Sequence, residues 1–208
     1  MKDCMRVLAA FAAGIIIGLF GLVPKSSLPD GSAMFILYTL ILQVGLSIGS
    51  SGRLKEMSGV FVPKMLLLPL STIAGTLLFS VIASMFISRW GVADCLAVGS
   101  GFAYYSLSSV LITELKSASA GVQIATELGT LALLANIVRE IVSLLGAPLF
   151  ARIFGKLAPI SAAGINSMDV LLPTISRYSG KDMIPVAIIH GIILELSVPL
   201  LVTVFCNI

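Results

Sequence analysis

Asp169 follows Asn166 and Ser167 inside an apolar stretch, where a carboxylate is a costly residue to keep. Ionisable groups at bilayer depth cost about 2.5–3.5 kcal/mol on insertion scales, and they face a protein interior or a wet cavity. A carboxylate there can exchange protons, or hold an ammonium group or sodium; the competing reading puts Asp169 at an interface. Asn136, Arg139 and Glu140 form a second group in another apolar stretch. At helical spacing Asn136 shares a face with both later residues. The arginine is either neutralised by Glu140 or Asp169 or touches a ligand directly, and the two readings are compatible. His190 is the only histidine. It is either a hydrogen-bonded structural residue or a proton relay. Glu195 lies five residues on, about 140° around an ideal helix, so the two do not share a ligand. Glu114 and Glu127 fall near segment ends, where a solvated carboxylate is ordinary. Tyr104 and Tyr105, beside Gly101 and Ser106, suit an aromatic belt or a cavity wall.

These groups sit in a chain of 208 residues, 58% hydrophobic and 11% charged, with mean hydropathy +1.09. Soluble domains carry about 25% charged residues. So few charges cannot cover a globule with solvated surface, and several apolar runs reach the ~20 residues that span a bilayer. The composition therefore predicts an all-α membrane protein, one polytopic domain over residues 1–208. Net charge +3 belongs to loops. No basic patch with interleaved aromatics points to nucleic acid. Cys4, Cys95 and Cys206 have neither disulfide nor metal-ligand spacing, and no cofactor motif occurs. P-loop and HExxH patterns are absent, which argues against an ATP-driven pump or a metalloprotease of that type.

Seven apolar segments follow: Met5–Val23, Ala33–Gly49, Phe61–Ser88, Ala93–Thr113, Val122–Phe150, Leu157–Tyr178 and Met183–Cys206. The first has no cleavage site leading into a soluble domain, and reads as an uncleaved transmembrane helix. If all seven cross with the N-terminus cytoplasmic, eight Lys and Arg (Lys2, Arg6, Arg53, Lys55, Lys64, Lys116, Arg177 and Lys181) lie inside and four outside (Lys25, Arg89, Arg152 and Lys156). That bias favours N-in, C-out in a bacterial inner membrane. If the fourth segment is re-entrant, the count becomes seven against five.

Segments four and six are poor continuous helices. The fourth contains Gly99-Ser100-Gly101, and the sixth runs Ser161-Ala162-Ala163-Gly164-Ile165-Asn166-Ser167-Met168-Asp169 with Pro173 beyond. Gly and Pro weaken a helix, and Ser and Asn compete for its backbone hydrogen bonds. Unwound backbone at depth must be enclosed in protein or line a wet cavity, and secondary transporters put such breaks around their substrate. The rival explanation is close helix packing through small residues. A faint repeat accompanies the breaks: Arg139 precedes Pro148-Leu149, and His190 precedes Pro199-Leu200, by the same interval. With seven crossings the two units run parallel.

Four motifs resemble the lysine exporter (LysO) family. They are Gly101-Phe102-Ala103-Tyr104-Tyr105-Ser106-Leu107-Ser108 with Thr113-Glu114; Asn136-Ile137-Val138-Arg139-Glu140; Ser167-Met168-Asp169 with Leu172-Pro173; and Asp182-Met183-Ile184-Pro185 with Ala187-Ile188-Ile189-His190-Gly191. The resemblance covers nearly the whole chain, more weakly at its start. It implies secondary export of L-lysine, lysine analogues or a similar cationic amino acid, coupled to protons, with sodium the other candidate ion. Asp169 is then the first choice of charge carrier and Glu140 the second, with Glu114 inside a matching motif. It also implies a short form matching the C-terminal two thirds of longer members, either self-assembling or joined by a small partner subunit.

Overall fold

The computed structural model describes residues 63–208 and, before them, the separate helical positions Phe35, Thr39, Leu42 and Leu46. The first apolar segment, most of the second, and Cys4 lie outside the described residues. Compact units divide between Ile36 and Leu37, and everything below lies in the second.

Among the described residues the structure is helical, with no strand. After a 3-10 turn at Pro63–Leu66 come α1 (Leu67–Ser84), α2 (Val92–Gly99), α3 (Tyr105–Ala120) and α4 (Val122–Phe154). Then follow α5 (Ala158–Ala163), a 3-10 turn (Gly164–Met168), α6 (Leu172–Tyr178), a 3-10 turn (Lys181–Met183) and α7 (Ile184–Cys206). Proline sets three of these starts: Pro159, Pro173 and Pro185 stand in the first turns of α5, α6 and α7. There the missing N–H costs nothing and the fixed φ favours the helix. Pro173, a breaker in the sequence reading, in fact begins a helix.

Among the described residues three helices are long and apolar enough to cross a membrane: Leu67–Ser84, Val122–Phe154 and Lys181–Cys206. Their outward faces carry Phe79, Leu145 and Leu200, all exposed, as lipid contact requires. Segments four and six are discontinuous as expected. The fourth is α2, a break at Ser100–Tyr104, and α3; the sixth is α5, the 3-10 turn and α6.

What the sequence left open is the path after each break, and ion pairs fix it. Lys116 Nζ on α3 lies 2.9 Å from Asp94 Oδ1 on α2, whereas those residues would be about 33 Å apart along one straight helix. Segment four therefore doubles back as a hairpin. Asp94 also accepts the Gly91 N–H at 3.1 Å, capping α2. Segment six does the same: Lys156 Nζ, before α5, lies 3.3 Å from Asp182 Oδ2, after α6.

The hairpins open toward opposite ends of the bundle. Lys116 and Asp94 lie within Coulomb reach of Cys206, at the end of α7, and Arg89 pairs with Glu127 near the start of α4. Lys156 and Asp182 lie at the other end, after α4 and before α7. Seven crossings are thus corrected for these two segments, which enter and leave at one end each. The repeat changes with them. A hairpin followed by a long helix occurs twice, as α2–α4 and α5–α7, and the second copy is inverted, not parallel.

Candidate functional site

The two hairpin tips touch. Ile165 N–H donates to the Phe102 carbonyl at 3.0 Å. Gly164, at φ 63° and ψ −133°, lets the backbones approach, since a Cβ there would overlap that same carbonyl oxygen. The opposite tip is strained: Phe102 and Ala103 have φ of 43° and 75°. Non-glycine residues in the left-handed region cost about 1–3 kcal/mol each and persist only where the surroundings dictate them. Here Asn136 does so from α4. Its Oδ1 accepts the Ala103 N–H at 2.7 Å, and its Nδ2 donates to the Ala132 carbonyl at 2.8 Å and to Ser108 Oγ at 3.3 Å. Gly101 packs against this amide, where any Cβ would overlap it. Asn136 is thus fully engaged in holding the tip.

A buried hydrogen-bond chain ties the second tip to α1 and α7. Ser167 Oγ donates to the Ala187 carbonyl at 2.9 Å. It must then accept at its 3.1 Å contact with His190 Nδ1, so that nitrogen carries the proton. His190 Nε2 accordingly accepts from Thr72 Oγ1 at 3.1 Å, and Thr72 accepts from Ser161 Oγ at 2.8 Å. The ring is fully enclosed. Both nitrogens being used, the structure favours the hydrogen-bonded structural reading of His190.

Arg139 forms no ion pair with Glu140 or Asp169. Its Nε donates to the Ala162 carbonyl at 3.0 Å and Nη2 to the Ser161 carbonyl at 3.1 Å, capping the end of α5, and its guanidinium lies over the Phe102 ring. Cations are favourable at such carbonyl ends.

The acids gather elsewhere at the crossing. Glu140, half-buried on α4, interacts with the Asn166 amide and lies within Coulomb reach of Asp169. Tyr104, in the break before α3, lies within reach of Asp169 and of Glu195 on α7. Asp169 follows the 3-10 turn, is exposed, and accepts the Val170 N–H. Asn166 is only 7% exposed; its Nδ2 makes no hydrogen bond of normal geometry to a described residue, and the acceptor it faces is the Glu140 carboxylate.

The crossing thus gathers Asn166, Ser167, Asp169, Asn136, Arg139, Glu140, Gly101 and His190. Tyr105, half-buried, and Ser106, exposed, begin α3 just beyond it. Glu114 lies further along α3, near the hairpin's open end, with no contact to the group. Sequence reasoning passes over Thr72 and sets Glu195 apart from His190 by helical angle without giving it a role, because nothing local pairs it with Tyr104.

Paired broken helices meeting at an acid-lined crossing, carried on long apolar helices, define a helical membrane protein with the kind of discontinuous helices that secondary transporters place around their substrate. A profile of the lysine exporter LysO family matches residues 8–206, and the chain belongs to that family. It is 29% identical over 204 residues to the lysine exporter LysO of Escherichia coli K12, a match covering 98% of this chain and 64% of that protein. It is 34% identical over 206 residues to a Haemophilus influenzae protein provisionally named a lysine exporter, covering 97% of each. No solved structure matches the chain.

Proposed function

We propose that this protein is a secondary transporter, not an enzyme, that exports L-lysine from the bacterial cytoplasm in exchange for protons. The observation that carries the reading is the pair of carboxylates at the hairpin crossing, Glu140 and Asp169, neither of them in an ion pair among the described residues. Lysine carries two ammonium groups, which call for carboxylates. Its carboxylate calls for N–H donors. Glu140, Asp169 and Glu195 supply the first at the crossing. Exporting a cation from a negative interior is uphill by about 2.3 kcal/mol per charge per 100 mV. Protons returning on the same carboxylates offset that cost.

Inverted units rocking about a fixed midplane site suit alternating access. Of the described positions, Lys64, Arg152, Lys156, Arg177 and Lys181 share one end, and Arg89 and Lys116 the other. The first end is cytoplasmic by the positive-inside rule, which leaves the C-terminus outside.

Proteoliposome counterflow tests the reading. Vesicles loaded with unlabelled lysine and holding this chain should accumulate labelled lysine, and an imposed pH gradient should drive net flux. Equal accumulation in protein-free vesicles would refute it. The chain spans 64% of the length of the E. coli relative; a subunit silent alone and active only with a partner chain is the rival that the same experiment addresses.

A further inference from the structure

We infer that the groove between α1 and the end of α5, walled by Arg139, is a carboxylate subsite that takes the α-carboxylate of the transported amino acid. This rests on the amino-acid export reading above. The groove has a volume of about 520 Å³ and is lined by Thr72, Gly75, Thr76, Arg139 and Ser161 among others. Guanidinium offers five N–H donors in a planar fork. Only two are engaged, by the Ser161 and Ala162 carbonyls, so most of the fork remains for a ligand. The charge is also uncompensated: ion pairs among the described residues are Arg89–Glu127, Lys116–Asp94 and Lys156–Asp182, and none includes Arg139. A planar fork of donors matches a carboxylate two-to-two, a geometry that an ammonium cannot reproduce.

The rest of the wall suits an anion. Thr72, one-twentieth exposed, is fixed by its bonds to Ser161 Oγ and His190 Nε2, and no described carboxylate lines the groove. Arg139 and Glu140 are consecutive on α4, hence about 100° apart around it. Glu140 addresses the Asn166 amide while Arg139 addresses the groove. The two charges of a zwitterion are thereby addressed by neighbouring residues on different sides of one helix.

The experiment compares lysine with 1,5-diaminopentane, which is lysine without its carboxylate. Each competes, unlabelled, against labelled lysine exchange in proteoliposomes. The native chain should prefer lysine by tenfold or more. Arg139→Gln should bring the two competitors to parity, and Arg139→Lys should restore part of the preference. A structural cap alone would weaken both competitors equally and leave the ratio unchanged, which would overturn the subsite. If Arg139→Gln does not fold, Gly75→Leu decides. A Cβ at Gly75 meets nothing within 4 Å, and Gly75 lines the groove, so a larger side chain there takes up groove space. It should lower the lysine preference by the same measure without lowering the melting temperature, and an unchanged ratio would again overturn the subsite. Loss of all lysine exchange in the native chain would instead refute the export reading, and the subsite with it.

Discussion

Asp169→Asn and Glu140→Gln should each abolish lysine counterflow in proteoliposomes while the protein stays folded. Both substitutions keep side-chain shape and remove charge. Asp169 is exposed and pairs with no cation among the described residues. Its Oδ1 contact to the Val170 N–H can be kept by an amide oxygen. Stability should therefore move by no more than about 0.5 kcal/mol, as at ordinary surface positions. Substrate feels the change directly. At half-buried Glu140 an ammonium group deprived of its counter-charge loses about 2–5 kcal/mol, roughly thirtyfold or more in affinity; at exposed Asp169 the loss in binding is about 1 kcal/mol or less. A proton carrier replaced by an amide also cannot exchange protons, so flux driven by a pH gradient should vanish even at saturating lysine. Counterflow measured beside a thermal melt separates the two effects. Full counterflow in Asp169→Asn would remove that residue from the mechanism.

Gly164→Ala has the largest expected effect on the fold. The added methyl would overlap the Phe102 carbonyl oxygen that accepts the Ile165 N–H. Gly164 also sits at φ 63° and ψ −133°, a backbone conformation that alanine rarely adopts. Strain of about 1–3 kcal/mol adds to a packing conflict of about 1–3 kcal/mol. The tips must part or the protein must lose that stability. Gly75→Ala is the control, since its methyl meets nothing within 4 Å in α1 and helix propensity favours alanine by about 1 kcal/mol. Melting temperature in detergent should fall by several degrees in the first and hold or rise in the second. Equal melting of both would show that the tip contact carries no stability.

The two breaks were legible because Gly, Ser and Asn are chemically explicit about leaving a helix. Gly99-Ser100-Gly101 and Gly164-Ile165-Asn166 fall at the observed interruptions. The direction taken afterwards was not legible. A break is local, whereas the Asp94–Lys116 and Lys156–Asp182 pairs join residues far apart in sequence. Without them a hairpin and a kinked crossing look alike, and seven crossings would make the Arg139–Pro148 and His190–Pro199 units parallel. The left-handed φ at Phe102 and Ala103 had no signal either, because bulky residues do not advertise a conformation imposed by Asn136 from another helix. Thr72 reads as an ordinary helix residue until the enclosed His190 ring gives it a role. Arg139 was readable as a buried charge, yet its partners are main-chain carbonyls, which sequence cannot name.

Hairpins entering from opposite faces are the premise on which the site rests, and membrane-impermeant thiol labelling tests it most directly. Single cysteines at Arg89, Lys116, Lys156 and Asp182 in a chain otherwise free of cysteine report which face each occupies. Arg89→Cys and Lys116→Cys should react together from one face, and Lys156→Cys and Asp182→Cys together from the other. Labelling of Arg89→Cys and Lys116→Cys from opposite faces would mean that segment four crosses, and would contradict the account.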